Sequence, residues 1–357
     1  MAKSWFTFDL WTNQAESVVL GCLPNYVLIQ KNFMNQPRQI RILTGKDVKT
    51  ALPMHKAIDV MRLAFGQLSS GNVTMPLRTR VSAEKGDILL MSAWLHQSQD
   101  LGVKIVSIFK DNPSVGLPTV TASVIVLDPQ TGMPKAFIEG ESLTAIRTGA
   151  TGGLSAEILA RRDAETVALF GAGVQARAQL EGLMAVRAIK QVNLIDLSQS
   201  TAEKLAKEVS TWVNAPHIQL DLRPDQAVRD ADVVITATTS MTPVFNGEDL
   251  KPGTHITGVG SFTAQMQEVD ETTVRRARIV VDSKEACLSE AGDIIIPNAT
   301  IDAELGEIIN GTKPGRQSDH EITFFKTVGV AAEDASAASA ILREAEKLDL
   351  GTVIAIN

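Results

Sequence analysis

The sequence has little cysteine, few aromatic residues and no long apolar run. Its two cysteines, Cys22 and Cys287, form neither a metal-ligand spacing nor a disulfide framework, which is typical of the reducing cytoplasm. No apolar stretch approaches the roughly 20 residues that a membrane-spanning helix needs. The first residues also lack the basic start and clean hydrophobic stretch of a signal peptide. The five histidines have no metal-ligand spacing. We therefore expect a cytoplasmic protein without a metal site or a membrane partner.

The charge and length of the chain further narrow the class of protein to which it can belong. The chain has 357 residues and a formal net charge of −7 at pH 7. An acidic chain is a poor match for a nucleic-acid surface, and a chain of this length suits two domains. The expected partner is a small molecule.

Residues 166–186 have the pattern of a strand, a tight glycine turn and a helix. An apolar run leads into Gly171-Ala172-Gly173-Val174-Gln175-Ala176, after which apolar residues recur at helical spacing. Gly171 permits the turn, Gly173 lets the backbone approach a pyrophosphate, and small Ala176 allows the helix to pack close to the strand. The phosphates would lie on the free N–H groups at the helix N-terminus. The pattern predicts a dinucleotide site that includes Gly171, Gly173, Val174, Gln175 and Ala176.

A second apolar strand, at residues 192–195, ends in Asp196. An acid there can accept hydrogen bonds from both hydroxyls of an adenosine ribose and would repel a 2′-phosphate, so we expect NAD, with NADP as the alternative. Thr238 and Thr239 stand at the end of the predicted fourth strand of this region, near residues 233–238, and would lie at the carboxyl edge of the sheet, where ligands bind. The competing interpretations are a solvated turn residue for Asp196 and an ordinary polar loop for the two threonines.

Strands and helices alternate after Asp196, which predicts an α/β fold with a Rossmann-type, doubly wound parallel sheet. The earlier part of the chain predicts a helix after Pro53 and strands within 75–127, which suits an α+β domain with an antiparallel sheet. A further helix is expected over residues 141–161. Its small residues would permit close approach by a backbone or a ligand.

Three cations precede the glycine turn: Arg78, Lys104 and Arg147. An arginine can grip a carboxylate with two parallel hydrogen bonds. Lys104 interrupts an apolar strand, and burial would lower its pKa toward a range useful for proton transfer. The alternative for each is a surface cation whose alkyl part packs while its charge stays in solvent.

Six short motifs stand in a characteristic order. They are MPLRT at 75–79, GLPT at 116–119, LTAIRT at 143–148, GAGVQA at 171–176, SEAGD at 289–293 and FKTVG at 325–329. With them the chain resembles the ornithine cyclodeaminase/mu-crystallin family over roughly residues 41–350. The resemblance implies a homodimer joined through the first domain, with substrate between that domain and the dinucleotide domain.

The resemblance also implies roles for individual residues. Arg78 and Arg147 would hold the substrate carboxylate, and Lys104 would lie beside the reacting carbon and nitrogen as the catalytic residue. Thr148 and Gly329 would line the nicotinamide side. The remaining cofactor-binding residue would be Val259, at the end of the fifth strand.

One position departs from the cyclodeaminases, which carry an aspartate shortly after the Val-Gly of the fifth strand. Here Val259-Gly260 is followed by Ser261-Phe262, and Phe262 takes the place of the acid. Ring closure with loss of ammonia needs a base near the amine, which Phe262 cannot supply. We therefore expect an NAD(P)H-dependent imine reductase that forms a small L-amino acid, such as L-proline from Δ1-pyrroline-2-carboxylate. The alternatives are an ornithine or lysine cyclodeaminase, an alanine-type amino-acid dehydrogenase, and a low-turnover ligand-binding protein resembling mu-crystallin.

The expected domains are an N-terminal extension at 1–40, a substrate-binding and dimerisation domain at 41–145 and 320–357, and a dinucleotide-binding domain at 146–319. The extension has two interpretations, an ordered arm that covers a partner subunit or a start assigned too far upstream of Met34. The final helix, at about 333–348, is expected to return to the first domain because the parallel sheet already has its strands.

Overall fold

The structure, a computed structural model, describes residues 38–356. The two interpretations of the N-terminal extension and the role of Cys22 fall on residues 1–37, outside the described residues. Within the described part of the chain, no helix is both long and apolar enough to cross a membrane.

The first half of the described chain builds one sheet and the helices that cover it. Its elements are β1 (Gln39–Leu43), α1 (Gly45–Ala51), α2 (Met54–Ser69), β2 (Val73–Thr74), β3 (Thr79–Ala83), β4 (Gly86–Leu95), β5 (Asp100–Ile108), β6 (Val120–Leu127), β7 (Pro134–Glu139) and α3 (Gly140–Leu159). Strands β4 to β7 pair antiparallel, as expected, and β1 adds parallel to β7. Both β2 and β3 pair with β4.

The second half alternates strands and helices. Its elements are β8 (Thr166–Phe170), α4 (Val174–Met184), β9 (Gln191–Ile195), α5 (Gln199–Val209), β10 (His217–Gln219), α6 (Pro224–Arg229), β11 (Val233–Thr236), β12 (His255–Gly258), α7 (Glu271–Arg276), β13 (Ala277–Val281), α8 (Lys284–Glu290), α9 (Gly292–Ile295), β14 (Ala303–Glu304), α10 (Leu305–Ile309), β15 (Ile322–Lys326), α11 (Ala331–Leu348) and β16 (Thr352–Ala355).

Strands β8 to β15 form the second sheet, in the order β10-β9-β8-β11-β12-β15-β13-β14. Every pair in it is parallel. The strand order reverses at β8, so the sheet is doubly wound and its ligand crevice is expected at the carboxyl ends of β8 and β11. The predicted fold class is confirmed.

One boundary of the predicted domains needs correction. Residues 320–326 do not join the first sheet, because β15 lies between β12 and β13 in the parallel sheet. Its five residues, Ile-Thr-Phe-Phe-Lys, are all buried, as a central parallel strand requires. The chain returns to the first sheet only after β15, where α11 packs on β4, β5 and β6. Residues 39–354 form one compact unit, and the division into two functional domains stays a prediction.

The small residues of α3 allow it to pack closely against α4. A Cβ atom on Gly153 would lie 2.5 Å from the carbonyl oxygen of Gly182, and one on Gly149 would collide with the carbonyl of Ala178. The neighbour that approaches α3 is therefore the backbone of the helix that follows the glycine turn. This contact couples α3, which carries Arg147 and Thr148, directly to the predicted dinucleotide site.

Candidate active site

The glycine turn between β8 and α4 has the geometry of a phosphate-binding site. Gly171 has a φ of +97°, and a Cβ atom there would lie 2.5 Å from the carbonyl oxygen of Ala237, so only glycine fits. A Cβ atom on Gly173 would meet nothing within 4 Å. No side chain caps α4, whose first residue, Val174, is 66% exposed, whereas Ala176 is fully buried against the sheet. Free N–H groups thus face open space at a helix N-terminus, as a pyrophosphate requires.

This difference between the two glycines gives a test. We expect Gly173→Val to fold with a free energy of unfolding within about 0.5 kcal/mol of wild type, because its side chain enters open space. The same side chain would block a pyrophosphate, so the Kd for NADH should rise about tenfold or more. Fluorescence titration with NADH and thermal unfolding measure the two effects. Gly171→Val is the contrasting variant, since it should destabilise the fold itself. A Gly173→Val protein that binds NADH as tightly as wild type would exclude this turn as the phosphate site.

Asp196 follows β9 and reaches back to the glycine turn. Its Oδ2 accepts a hydrogen bond from the backbone N–H of Ala172 at 2.8 Å, and its Oδ1 accepts one from the N–H of Ser198 at 2.7 Å. Each carboxylate oxygen has a second lone pair, so Asp196 can still accept from two ribose hydroxyls. Asp196 is thus fixed beside the glycine turn, and its contact with a ribose stays a prediction.

A single buried carboxylate, that of Glu268, joins the loops after β11 and β12. Its Oε1 accepts hydrogen bonds from the N–H and the hydroxyl of Thr238, both at 2.7 Å. Its Oε2 accepts from the hydroxyl of Thr236 at 3.1 Å and from the N–H groups of Gly260 and Ser261 at 2.7 and 3.1 Å. Five donors from two strand ends therefore converge on one side chain, which sets the shape of the sheet edge where the cofactor is expected.

Glu268 is in turn anchored by Asp293, which the SEAGD motif contributes. Asp293 Oδ1 accepts from the backbone N–H groups of Glu268 and Val269 at 2.7 and 3.0 Å, and Asp293 Oδ2 lies 3.2 Å from Lys326 Nζ. Burial is the main cause that raises the pKa of the Glu268 carboxyl. No sequence motif points to Glu268. Thr239, by contrast, is exposed beside this network.

Lys104 and Arg147 lie on opposite sides of one carboxylate, that of Asp334. Lys104 Nζ is 2.6 Å from Asp334 Oδ2, and Arg147 Nε donates to Asp334 Oδ1 at 3.1 Å. Arg147 Nη1 also donates to Glu333 Oε2 at 3.0 Å. All four side chains are at least 94% buried. Both acids lie in the buried first turn of α11.

The position of Lys104 follows from the register of the first sheet. In one row across the strands it lies beside Met91 and Val124, followed by Ile138 and Leu43, and all these residues are buried. Removal from water is the main cause that lowers the pKa of Lys104 to about 8, although the neighbouring Asp334 acts in the opposite direction. The predicted burial and lowered pKa are confirmed.

Burial and ion pairing also shift the pKa values of Arg147 and Glu333. Burial by itself would lower the pKa of Arg147, but the negative charges of Asp334 and Glu333 outweigh burial and raise that pKa. Burial also raises the pKa of Glu333, against the effect of Arg147. The guanidinium of Arg147 is therefore permanently charged, and its two protein hydrogen bonds use two of its five N–H groups. The other three N–H groups form no hydrogen bond with the described residues.

A turn at Thr327–Gly329 brings the second arginine to this cluster. Arg78 Nη2 donates to the carbonyl oxygen of Gly329 at 2.8 Å and lies 2.8 Å from Glu290 Oε2. Gly329 has a φ of +77°, and a Cβ atom there would lie 2.6 Å from Arg147 Nη1. Gly329 thus separates Arg78 from Arg147. The cleft beside it is also lined by Met75, Met91, Glu285, Glu290 and Ala331.

Asp282, at the end of the second sheet, holds this turn in place. Its Oδ2 accepts from the hydroxyl of Thr327 at 2.7 Å and from the N–H groups of Val328 and Gly329 at 2.9 and 2.8 Å. Asp282 follows an apolar strand, as Asp196 does, but no sequence motif points to it.

Phe262 lies in the loop after β12 and is 43% exposed. The preceding residue, Ser261, is buried, and its hydroxyl donates to the carbonyl of Met266 at 2.7 Å. Glu268 approaches the same loop, but its carboxylate is fully buried and faces the backbone N–H groups. Glu268 therefore cannot serve as the acid that is absent at position 262.

Comparison with known proteins agrees with this geometry. The model of the ornithine cyclodeaminase/mu-crystallin family matches residues 38–348. The Δ1-pyrroline-2-carboxylate reductase of Bacillus cereus is 36% identical over 325 residues, which cover 88% of this chain and 99% of that protein.

Two solved structures share the whole fold. The Δ1-pyrroline-2-carboxylate reductase of Thermococcus litoralis, in complex with NADH and L-proline, has a TM-score of 0.83 and 40% identity, covering 87% of this chain and 99% of its own. An archaeal alanine dehydrogenase dimer with bound NAD has a TM-score of 0.83 and 33% identity, covering 89% and 99%. Because the family match spans almost all of the described residues, the chain belongs to the ornithine cyclodeaminase/mu-crystallin family.

Proposed function

We propose that this protein is an NAD(P)H-dependent reductase of small α-imino carboxylates, of the Δ1-pyrroline-2-carboxylate kind. The observation that carries the proposal is the placement of Arg78 and Arg147 on either side of Gly329, with Lys104 joined to Arg147 through Asp334 and with Phe262 where a cyclodeaminase needs an acid. The names of the Bacillus cereus and Thermococcus litoralis relatives support the same substrate class.

The residues at the edge of the second sheet fit NADH. The pyrophosphate would lie at the uncapped start of α4, in front of Gly173, and the adenosine ribose at Asp196. When bound, NADH supplies the hydride that reduces the imine carbon. The other proposed cofactor-binding residues are Thr148, Gly171, Val174, Gln175, Ala176, Thr238, Thr239, Val259 and Gly329.

The buried cations have separate roles in this proposal. Arg78 and the three free N–H groups of Arg147 hold the substrate carboxylate and orient the ring, which lowers the barrier chiefly by positioning. Lys104, with a pKa of about 8, carries its proton at neutral pH. It keeps the substrate nitrogen protonated, directly or through a water, because an iminium accepts hydride far more readily than a neutral imine.

Asp196 should decide between the two nicotinamide cofactors. We expect Asp196→Asn to reduce the preference for NADH over NADPH by about tenfold or more, since the variant loses the charge that repels a 2′-phosphate. The measurement is kcat/KM with each cofactor at a fixed imine concentration. Asp163→Asn removes a charge from a 79% exposed side chain and serves as control. An unchanged preference would return Asp196 to the role of a turn residue.

The proposed activity is tested by NADH and NADPH oxidation with Δ1-pyrroline-2-carboxylate and Δ1-piperideine-2-carboxylate. Ornithine or lysine with NAD is assayed for ammonia in parallel, and alanine with NAD for NADH formation. Consumption of NADH by the imines without ammonia release is the expected result. Ammonia with proline from ornithine would instead identify a cyclodeaminase. NADH formed from alanine would favour the dehydrogenase, and binding without turnover in every assay would favour a mu-crystallin-like binding protein.

We further propose a homodimer joined through the outer face of the first sheet. The helices α3 and α11 pack on one face. On the other face a row of side chains in register, Val103, Ile125, Phe137 and Ile42, is apolar and only partly covered, with Phe137 39% exposed. A contiguous exposed apolar face is typical of an association surface. The archaeal alanine dehydrogenase relative is a dimer.

Ile125→Glu tests this interface. A charge in the middle of the face would be buried without a partner, so we expect the variant to be a folded monomer where wild type is a dimer. Light scattering coupled to size-exclusion chromatography measures the mass. Leu63→Glu makes the same change at a residue of α2 that is 65% exposed, and should remain dimeric. A dimeric Ile125→Glu protein would show that the copies meet elsewhere.

A cytoplasmic location is also proposed. Cys287 is a free, buried thiol whose Sγ donates to Asp282 Oδ1 at 3.2 Å. Burial raises the pKa of this thiol well above its ordinary value, so it is chemically inert. A small buried cysteine of this kind suits a reducing compartment.

A further inference from the structure

Lys326, in the FKTVG motif, is a fully buried lysine to which the proposed reaction gives no role. It is the last residue of β15, which lies between β12 and β13 in the parallel sheet, and its exposed fraction is 0%. Its side chain runs over Gly258 of β12, where a Cβ atom would lie 3.6 Å from Lys326 Cδ. A buried charge without a partner is strongly unfavourable, so the ammonium requires a carboxylate beside it.

Two buried carboxylates share this cation. Asp293 Oδ2 lies 3.2 Å from Lys326 Nζ, and in the described part of the chain no other carboxylate lies within 4 Å of that nitrogen. Glu268 is within range of the same charge. Burial raises the pKa of the Glu268 carboxyl, the charge of Lys326 acts to lower it, and the charge of Asp293 acts to raise it. Since both acids are 0% exposed, removing Lys326 would leave two like charges buried close together.

The two acids hold the loops at the carboxyl edge of the second sheet. Glu268 accepts hydrogen bonds from Thr238, which follows β11, and from Gly260, which follows β12. Asp293 accepts from the backbone N–H groups of Glu268 and Val269. All these bonds are donated to carboxylate oxygens, so they are strongest while both acids are ionised. The charge state of the two acids therefore controls how firmly both loops are held.

We propose that Lys326 is a positioning residue for the cofactor: by keeping Glu268 and Asp293 ionised together, it fixes the loops after β11 and β12 against which NADH binds. Because Lys326 is fully buried, it acts through the two acids and not by contact with the cofactor. The SEAGD and FKTVG motifs, which are separate in the sequence, thus meet in one ion pair. The inference rests on the proposed binding of NADH at this edge, and it holds whichever imine is reduced.

Lys326→Met tests this role, since it keeps the length of the side chain but removes its charge. One of the two acids must then take up a proton, the loops lose a charged acceptor, and the Kd for NADH should rise about tenfold. The double variant Lys326→Met/Asp293→Asn removes one charge of each sign and keeps a side-chain oxygen for the two backbone N–H groups. Its Kd should return to within about threefold of the wild-type value. Fluorescence titration with NADH on folded protein measures each Kd, and thermal unfolding measures stability.

Asp232→Asn is the matched control, at the opposite, amino edge of the same sheet. Asp232 also holds a backbone segment, because its Oδ2 accepts from the N–H groups of Glu165 and Thr166 at 2.9 and 3.0 Å. It is likewise paired with a cation, Arg161, at 2.8 Å. This variant should lower the midpoint of thermal unfolding and leave the Kd for NADH unchanged. An equal loss of affinity in Asp232→Asn would show that the sheet had loosened as a whole, and would overturn the inference.

The remaining outcomes are equally decisive. Folded Lys326→Met that binds NADH as tightly as wild type overturns the positioning role, and so does a double variant as weak as Lys326→Met, since charge would then not be the cause. If Lys326→Met does not fold, Glu268→Gln carries the test. Its amide would place N–H groups against the loop donors, so the Kd should rise about tenfold, and wild-type affinity in this variant overturns the inference.

The proposed function is tested separately. Wild type that reduces Δ1-pyrroline-2-carboxylate, with an affinity for NADH that does not respond to Lys326→Met, keeps the reductase and overturns the positioning role. Wild type whose affinity for NADH responds to Lys326→Met, but which reduces no imine, supports the positioning role and overturns the reductase.

Discussion

Arg147→Ala should lower kcat/KM for Δ1-pyrroline-2-carboxylate by about a thousandfold, because loss of a buried charged contact costs roughly 4 kcal/mol. It should also lower the free energy of unfolding by about 3–5 kcal/mol, since Glu333 and Asp334 would keep their charges in a buried site without their main partner. Steady-state kinetics and denaturant unfolding at neutral pH measure the two losses.

Two further variants separate the roles of Arg147. Arg147→Lys keeps a positive charge beside the acids and should regain part of the stability, but a single ammonium cannot span both acids and a ligand carboxylate, so kcat/KM should stay low. Arg62→Ala breaks a surface ion pair with Glu157 and should change neither quantity by more than a small amount. If Arg147→Ala kept wild-type affinity for imino acids, its role in holding the carboxylate would be wrong.

Local sequence patterns were sufficient to predict most of the second sheet. The glycine turn, the acid after β9 and the alternating apolar runs each depend on residues close together in the chain. Strand β15 was harder to place, since its five residues carry no signal for where the strand inserts. Its position between β12 and β13 comes from packing with strands more than 40 residues away. The final helix was predicted at about 333–348 and lies at Ala331–Leu348, but the predicted domain boundary at 320 came one strand too early.

The residues of the proposed site likewise fall into two groups, those that a local sequence pattern predicts and those that only the fold brings together. Arg78, Lys104 and Arg147 were predicted because an isolated cation in an apolar segment is conspicuous, and the family motifs assign them roles. Asp282 and Glu268 were missed, because their importance comes from backbone N–H groups that converge from other loops. Asp334 stands in the first turn of a predicted helix, and no sequence pattern marks its partners. Its two partners, Lys104 and Arg147, are far away in the sequence and only the fold brings them together.

Burial of Lys104 leads to a prediction about pH. With a pKa lowered from 10.5 to about 8, mainly by desolvation, Lys104 is protonated below pH 8 and loses its proton as the pH rises through that value. If the proton of Lys104 keeps the substrate nitrogen charged, the titration of Lys104 should leave kcat/KM for imine reduction constant below about pH 8. It should fall about tenfold per pH unit above that value.

Lys104→Arg tests whether this limb belongs to the lysine. An arginine stays protonated throughout the accessible range, so the limb near pH 8 should disappear even though the larger guanidinium lowers the absolute rate. A limb that comes from the iminium of the substrate would remain at the same pH in both proteins, which separates the two origins. Lys135→Arg, at a half-exposed surface lysine, should keep the wild-type profile. An identical alkaline limb in wild type and Lys104→Arg would show that another group titrates, and the proton that Lys104 is proposed to hold would have to come from elsewhere.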